Sequence, residues 1–105
     1  MSLASEFAPI HDGHIRLSVL QLLAGQHSGS ANDAVLCEAV NAMDLRCSRE
    51  EMREHLFWMA GQNMVSVLDM RMKSGLVVAT LTERGADVAA GRSFIAGVHR
   101  TAAKG

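Results

Sequence analysis

The sequence contains no tyrosine, and its aromatic content of 4% is confined to Phe7, Phe57, Trp58 and Phe94. Single-stranded nucleic acid is held largely by bases stacked on aromatic rings, so a stacking platform is not expected. Neither charge sign dominates: ten Lys and Arg face eleven Asp and Glu, for a formal net charge of -1. That balance excludes a polycation bound to phosphate by bulk charge and leaves local clustering as the electrostatic route to nucleic acid. The two cysteines, Cys37 and Cys47, are ten positions apart, with no CxxC and no Cys/His ligand spacing. Two reduced, mostly buried thiols in a cytoplasmic protein are the expectation. Long apolar runs are missing too, since even Leu76–Leu81 is only six residues long, far short of the roughly 18 that a membrane span needs. The N-terminus lacks the basic start and apolar stretch of a signal peptide.

Motifs of chemistry are equally sparse. There is no GxSxG, P-loop or GxGxxG, and the histidines (His11, His14, His27, His55, His99) are scattered. An enzyme, a cofactor and a metal site are therefore not expected. His55 reads as a partly buried, hydrogen-bonded imidazole. Cys47 sits just ahead of a helix cap, where a helix N-terminus can lower a thiol pKa and support redox sensing.

What remains is an ordinary globular balance, 49% hydrophobic and 20% charged over 105 residues, enough for one domain and one core. Residues 1–11 read as an N-terminal arm. Asp12 can cap a first helix carrying Ile15, Val19, Leu22 and Leu23, with Gly25 as its stop. Gln26–Ala31 reads as a polar turn, and either Ser30 or Asn32 caps a second helix whose stripe is Leu36, Ala39, Val40 and Met43. After Asp44-Leu45-Arg46-Cys47, Ser48 and Glu51 form an S-x-x-E capping box. The third helix then points Met52, Leu56 and Met59 inward, and Asn63 supplies a left-handed exit. Met64–Asp69 and Leu76–Leu81 read as two strands of a hairpin with its tip at 71–75. Thr82 caps a short helix closed by Gly91, and residues 92–105 form a C-terminal extension. Met43, Met52, Met59 and Met64 fit the core pattern.

The order helix, helix, tight turn, capped helix, hairpin, helix resembles the winged helix-turn-helix superfamily, mainly α with a small β-hairpin as the wing. The residues that carry the resemblance are Leu36–Val40, Leu45, Ser48–Met59, Asn63-Met64-Val65 and Leu81-Thr82-Glu83-Arg84-Gly85. The last string is similar to the exit from the wing in MarR-like and PadR-like regulators. More distantly, the chain resembles the small winged-helix proteins of Mu-like prophages. The resemblance spans roughly 14–91, and the winged domain is placed at 12–91.

The resemblance implies a small transcriptional regulator that binds duplex DNA as a homodimer, with the third helix in the major groove. Arg49 and Arg53, four apart on one face, would read the groove. Ser48 would contact phosphate, Arg71 and Lys73 would grip from the wing, and Arg46 would add a backbone contact. Against this, Glu50, Glu51 and Glu54 interleave with the arginines, and between Arg46 and Arg84 six basic residues exceed the five acidic ones by just one. The alternative is a winged-helix protein-interaction or assembly module of phage origin that does not bind DNA. Phe57 and Trp58 favour it as candidate interface residues. Phe94, Ile95 and Val98 in the extension are candidates for dimerisation, together with the first helix.

Overall fold

The computed structural model describes residues 3–101, with side chains from residue 7 onward. Helix α1 runs over Leu3–Ala24, β1 over Ser30–Asn32, α2 over Asp33–Ala42 and α3 over Arg49–Gly61. Strand β2 follows over Val65–Met70, β3 over Leu76–Leu81 and α4 over Glu83–Ala89. Four helices thus share one core with a three-stranded antiparallel sheet of order β1-β3-β2.

The helix boundaries follow from local chemistry. Asn32 caps α2 by accepting from the Val35 amide at 2.9 Å, so Asn32 rather than Ser30 is the cap. Ser48 and Glu51 form the expected reciprocal box at the start of α3, and Thr82 accepts from Gly85 at the start of α4. Helix α3 ends with Asn63 at φ 62°. The Met64 amide reaches back to Met59 and that of Asn63 to Ala60, the paired bonds of a Schellman cap. Helix α2 closes in the same way through Asp44 at φ 60°, with the Leu45 amide bonded to Val40. Both carboxamide and carboxylate side chains tolerate this left-handed geometry. The cap turns Leu45 back against the core.

The core joins Ile15, Val19, Leu20 and Leu23 of α1 to Leu36 and Val40 of α2 and to Met52, Leu56 and Met59 of α3. Met64, Val65, Val77 and Ala79 from the sheet side and Val88 and Ala89 of α4 add to it. Hairpin register pairs Leu68 with Val78 and Val67 with Ala79, so Val77 and Ala79 face the helices while Leu68 and Val78 face away. Gly85 lets α4 approach the hairpin base. A Cβ there would run into the Met64 carbonyl oxygen, which already accepts from the Thr82 amide.

Four sequence expectations change. The segment expected as an arm is helical from Leu3, so Asp12 lies inside α1 and does not cap it, and Pro9 sits within the helix. Part of the expected polar turn at 26–31 belongs to β1, which exists through pairing with β3 and a 2.7 Å contact between the Ser30 and Thr80 hydroxyl oxygens. Met43 is the exposed C-cap of α2 and not a core residue. The C-terminal extension folds back as far as the described chain reaches. Ile95 and Val98 are buried in the protein's own core, and the His99 amide bonds to the Gly13 carbonyl at 3.1 Å. They therefore have an intramolecular burial site that the sequence did not reveal. Among the described residues, no helix is long and apolar enough to cross a membrane.

Candidate functional site: the outer face of helix α3 and the hairpin

Each residue of an α-helix advances about 100° around the axis. With Met52, Leu56 and Met59 pointing inward, the stripe opposite them is Glu50, Glu54, Phe57 and Gly61, and all four are exposed. Arg49 and Arg53 fall on the flank toward the hairpin, where the structure binds them internally. Arg53 donates from Nε to Asp33 Oδ2 at 2.6 Å, and Arg49 does the same at 3.2 Å. Their Nη2 atoms converge on the Gly75 carbonyl at 2.6 and 2.8 Å. The other Asp33 oxygen accepts from the Val77 amide at 3.1 Å.

Asp33 has no solvent exposure, so one buried carboxylate ties the start of α2 to α3 and to the head of β3. Burial pushes the Asp33 carboxyl up. The Val77 amide and the Arg53 and Arg49 guanidinium groups outweigh that effect and hold it below the ordinary carboxylate range. Sequence reasoning missed Asp33 as the organiser of this cluster. Its partners are 16, 20 and 44 positions away, and no local pattern links them.

The remaining basic candidates are spread out. Arg71 is chelated by Asp69 through contacts of 2.9 and 2.6 Å, and its guanidinium lies 5.3 Å from the centre of the Phe57 ring. The same hydrogen bonds pull the Asp69 carboxyl down to about 2. Lys73 and Arg46 are exposed and make no ion pair among the described residues. Arg46 is anchored instead by its carbonyl, 2.7 Å from His11 Nε2. Ser48 is occupied by its cap: its hydroxyl oxygen accepts from Glu51, whose carboxylate accepts from the Ser48 amide.

The opposite flank of α3 meets α1. Trp58 is half-buried, covered by the Arg16 guanidinium at 4.0 Å and by Gly97, where a Cβ would come within 2.7 Å of the indole. It therefore supports the C-terminal segment and does not form an exposed pair with Phe57. His55 is buried and takes a 3.1 Å hydrogen bond from Arg16 Nε on its Nδ1. The neutral ring then carries its proton on Nε2, 3.6 Å from Asp12 Oδ1. Burial, then the Arg16 charge, lowers the His55 pKa. Asp12, Arg16, Glu51, Glu54, His55 and Trp58 line an open pocket of about 340 Å³.

Cys47 lies where a helix N-terminus was expected to activate it. Burial instead pushes its thiol up to about 12, which removes the basis for a reactive thiolate. Both cysteines are free. Among the described residues, no group of three or more His, Cys, Asp or Glu side chains converges as metal ligands would.

Comparison with known proteins places this architecture in a phage lineage. Over 85 residues the chain is 39% identical to a protein of Escherichia phage Mu named "Uncharacterized protein gp26", covering 81% of this chain and 84% of the phage protein. The chain belongs to the phage Mu gp26 family. No family model matches it, and no solved structure does. The aligned length of the gp26 match, 85 residues, is long enough to take in a whole small domain.

Proposed function

We propose that this member of the gp26 family is a winged helix-turn-helix domain used as a protein-docking module. In this reading α2 and α3 are the helix-turn-helix, β2 and β3 the wing, and the outer stripe of α3 the contact surface. The observation that carries it is the direction of the α3 side chains. Arg49 and Arg53 bond to the buried Asp33 on the hairpin flank, where Arg49 keeps 45% of its side chain exposed, and the stripe opposite the core carries Glu50, Glu54 and Phe57. In a major groove, those carboxylates would face phosphates and base edges rich in acceptors, which is repulsive. Against a protein surface they pair with basic groups around an apolar anchor, Phe57, already framed by Arg71.

Duplex DNA binding by a small transcriptional regulator is the second reading. It is favoured by the hairpin-side flank, where Arg49, Arg53, Arg71 and Lys73 outnumber Asp33 and Asp69. A titration of mixed-sequence duplex DNA at about 50 and 200 mM salt separates the two, because phosphate contacts strengthen steeply at low salt. The docking reading expects no saturable binding at either salt concentration. Binding that weakens steeply with salt and is lost in the Arg71→Ala/Lys73→Ala variant would overturn it in favour of DNA.

A further inference from the structure

Where α1 and α3 meet, Asp12, Arg16, Glu51, Glu54, His55 and Trp58 surround the open pocket of about 340 Å³, within the roughly 300–1,000 Å³ of ligand sites. Its charge is one-sided. Three of the six lining side chains are carboxylates, and among the described residues no Lys or Arg forms an ion pair with any of them. Arg16, the one Lys or Arg of the lining, is committed elsewhere. Its Nε donates to His55 Nδ1 at 3.1 Å, its Nη1 donates to the Gly97 carbonyl at 2.9 Å, and its guanidinium covers the Trp58 ring. Glu51 keeps one oxygen on the Ser48 amide, and that bond holds its carboxyl below the ordinary range, hence ionised at neutral pH.

The most buried wall adds an independent demand. The His55 side chain keeps only 8% exposure, and the Arg16 bond to Nδ1 fixes the proton of the neutral ring on Nε2. That N–H stands 3.6 Å from Asp12 Oδ1, beyond the 2.7–3.2 Å of a hydrogen bond. It donates to no other group among the described residues. A buried donor in that state calls for an acceptor from outside the chain. An anion would bring one, but three carboxylates repel it. A metal ion does not fit, because among the described residues these side chains do not converge as ligands. An apolar group would desolvate the carboxylates without pairing them.

We infer that the pocket receives an arginine or lysine residue of a partner protein, with its cationic head between Asp12 and Glu54 and its main-chain carbonyl on His55 Nε2. A basic residue in a peptide carries both the positive charge and the acceptor that the pocket lacks. The inference rests on the docking reading and deepens it, because Glu54 belongs both to the outer stripe of α3 and to the pocket.

Titration of the full chain with acetyl-Gly-Arg-Gly-amide, followed by NMR, tests the assignment. The His55 ring and Trp58 indole signals should shift saturably, with a Kd of about 1–10 mM for so small a ligand. The matching citrulline peptide keeps the carbonyls and lacks the charge; methylguanidinium keeps the charge and lacks the carbonyls. Each should bind at least about fivefold more weakly than the arginine peptide, as loss of one contact does. Asp12→Asn/Glu54→Gln should weaken the arginine peptide by at least about fivefold, whereas Glu38→Gln, exposed on α2, should leave its Kd unchanged. All three side chains lie outside the core, and far-UV circular dichroism verifies that the variants remain folded. The absence of a saturable shift up to about 50 mM peptide, well above the expected Kd, overturns the assignment. So does equal binding of the arginine peptide and either of its two analogues, or undiminished binding in the double variant. Each of these results removes the pocket and leaves docking through Glu50 and Phe57 standing, since only salt-sensitive duplex binding overturns that reading.

Discussion

Replacing Asp33 with Asn preserves the shape of the side chain and the oxygen that accepts from Val77, while removing the charge that holds Arg49 and Arg53. Breaking a fully buried ion pair costs about 3–5 kcal/mol. Asp33 is wholly buried, but the Arg53 and Arg49 side chains retain 23% and 45% exposure. Water therefore screens the guanidinium groups and receives them once released, which reduces the expected cost of Asp33→Asn to about 2–3 kcal/mol. Asp33→Ala also orphans the buried Val77 amide and should cost about 1–3 kcal/mol more. Against a total stability of roughly 5–15 kcal/mol for a small domain, either change is large. The Asn variant should lose about 10–20 °C in Tm at this chain length. Urea unfolding followed by the fluorescence of Trp58, the single tryptophan, gives the free energies. A double-mutant cycle with Arg53→Met isolates the pair and should return a coupling of about 1–3 kcal/mol. An Asn variant within about 0.5 kcal/mol of wild type, the range of neutral surface changes, would refute the clamp. Arg49 and Arg53 would then not be committed to Asp33.

Two further outcomes follow from the same geometry. Gly85→Ala forces a methyl group against the Met64 backbone carbonyl, which cannot move as a side-chain tip could; thermal unfolding should show a loss of about 3 kcal/mol or more, at the top of the overpacking range. Acidification should destabilise the protein in two stages, because Asp33 and His55 both titrate below their ordinary values and the unfolded chain binds those protons more readily. The His55 contribution is complete above about pH 6.5 and lost as pH falls through its lowered folded value, and that of Asp33 is complete above about pH 4 and lost below it. His55→Gln, which retains an acceptor for Arg16, should flatten the first stage in urea titrations at several pH values, and an unchanged slope would show that His55 does not control it.

Features that depend on neighbours a few residues apart were legible in the sequence. The Ser48–Glu51 box, the Thr82 cap, the left-handed exit at Asn63 and the two long strands are all short-range hydrogen-bonding or steric choices. Helix periodicity likewise placed Leu36, Val40, Met52, Leu56 and Met59 inward. Strand β1 escaped notice because its three residues, Ser30–Asn32, have no strand pattern of their own and are ordered by β3. The start of α1 escaped because Pro9 and the lack of an apolar stripe argue locally against a helix. Tertiary structure alone decided what the charges do. Arg49 and Arg53 share a helix face in the sequence, as two cations available for phosphate would. Only folding brings Asp33, 16 and 20 positions away, between them and the hairpin. Burial then makes that carboxylate too costly to leave unpaired, so both arginines are engaged by it on one flank while the interleaved glutamates Glu50 and Glu54 stand opposite the core.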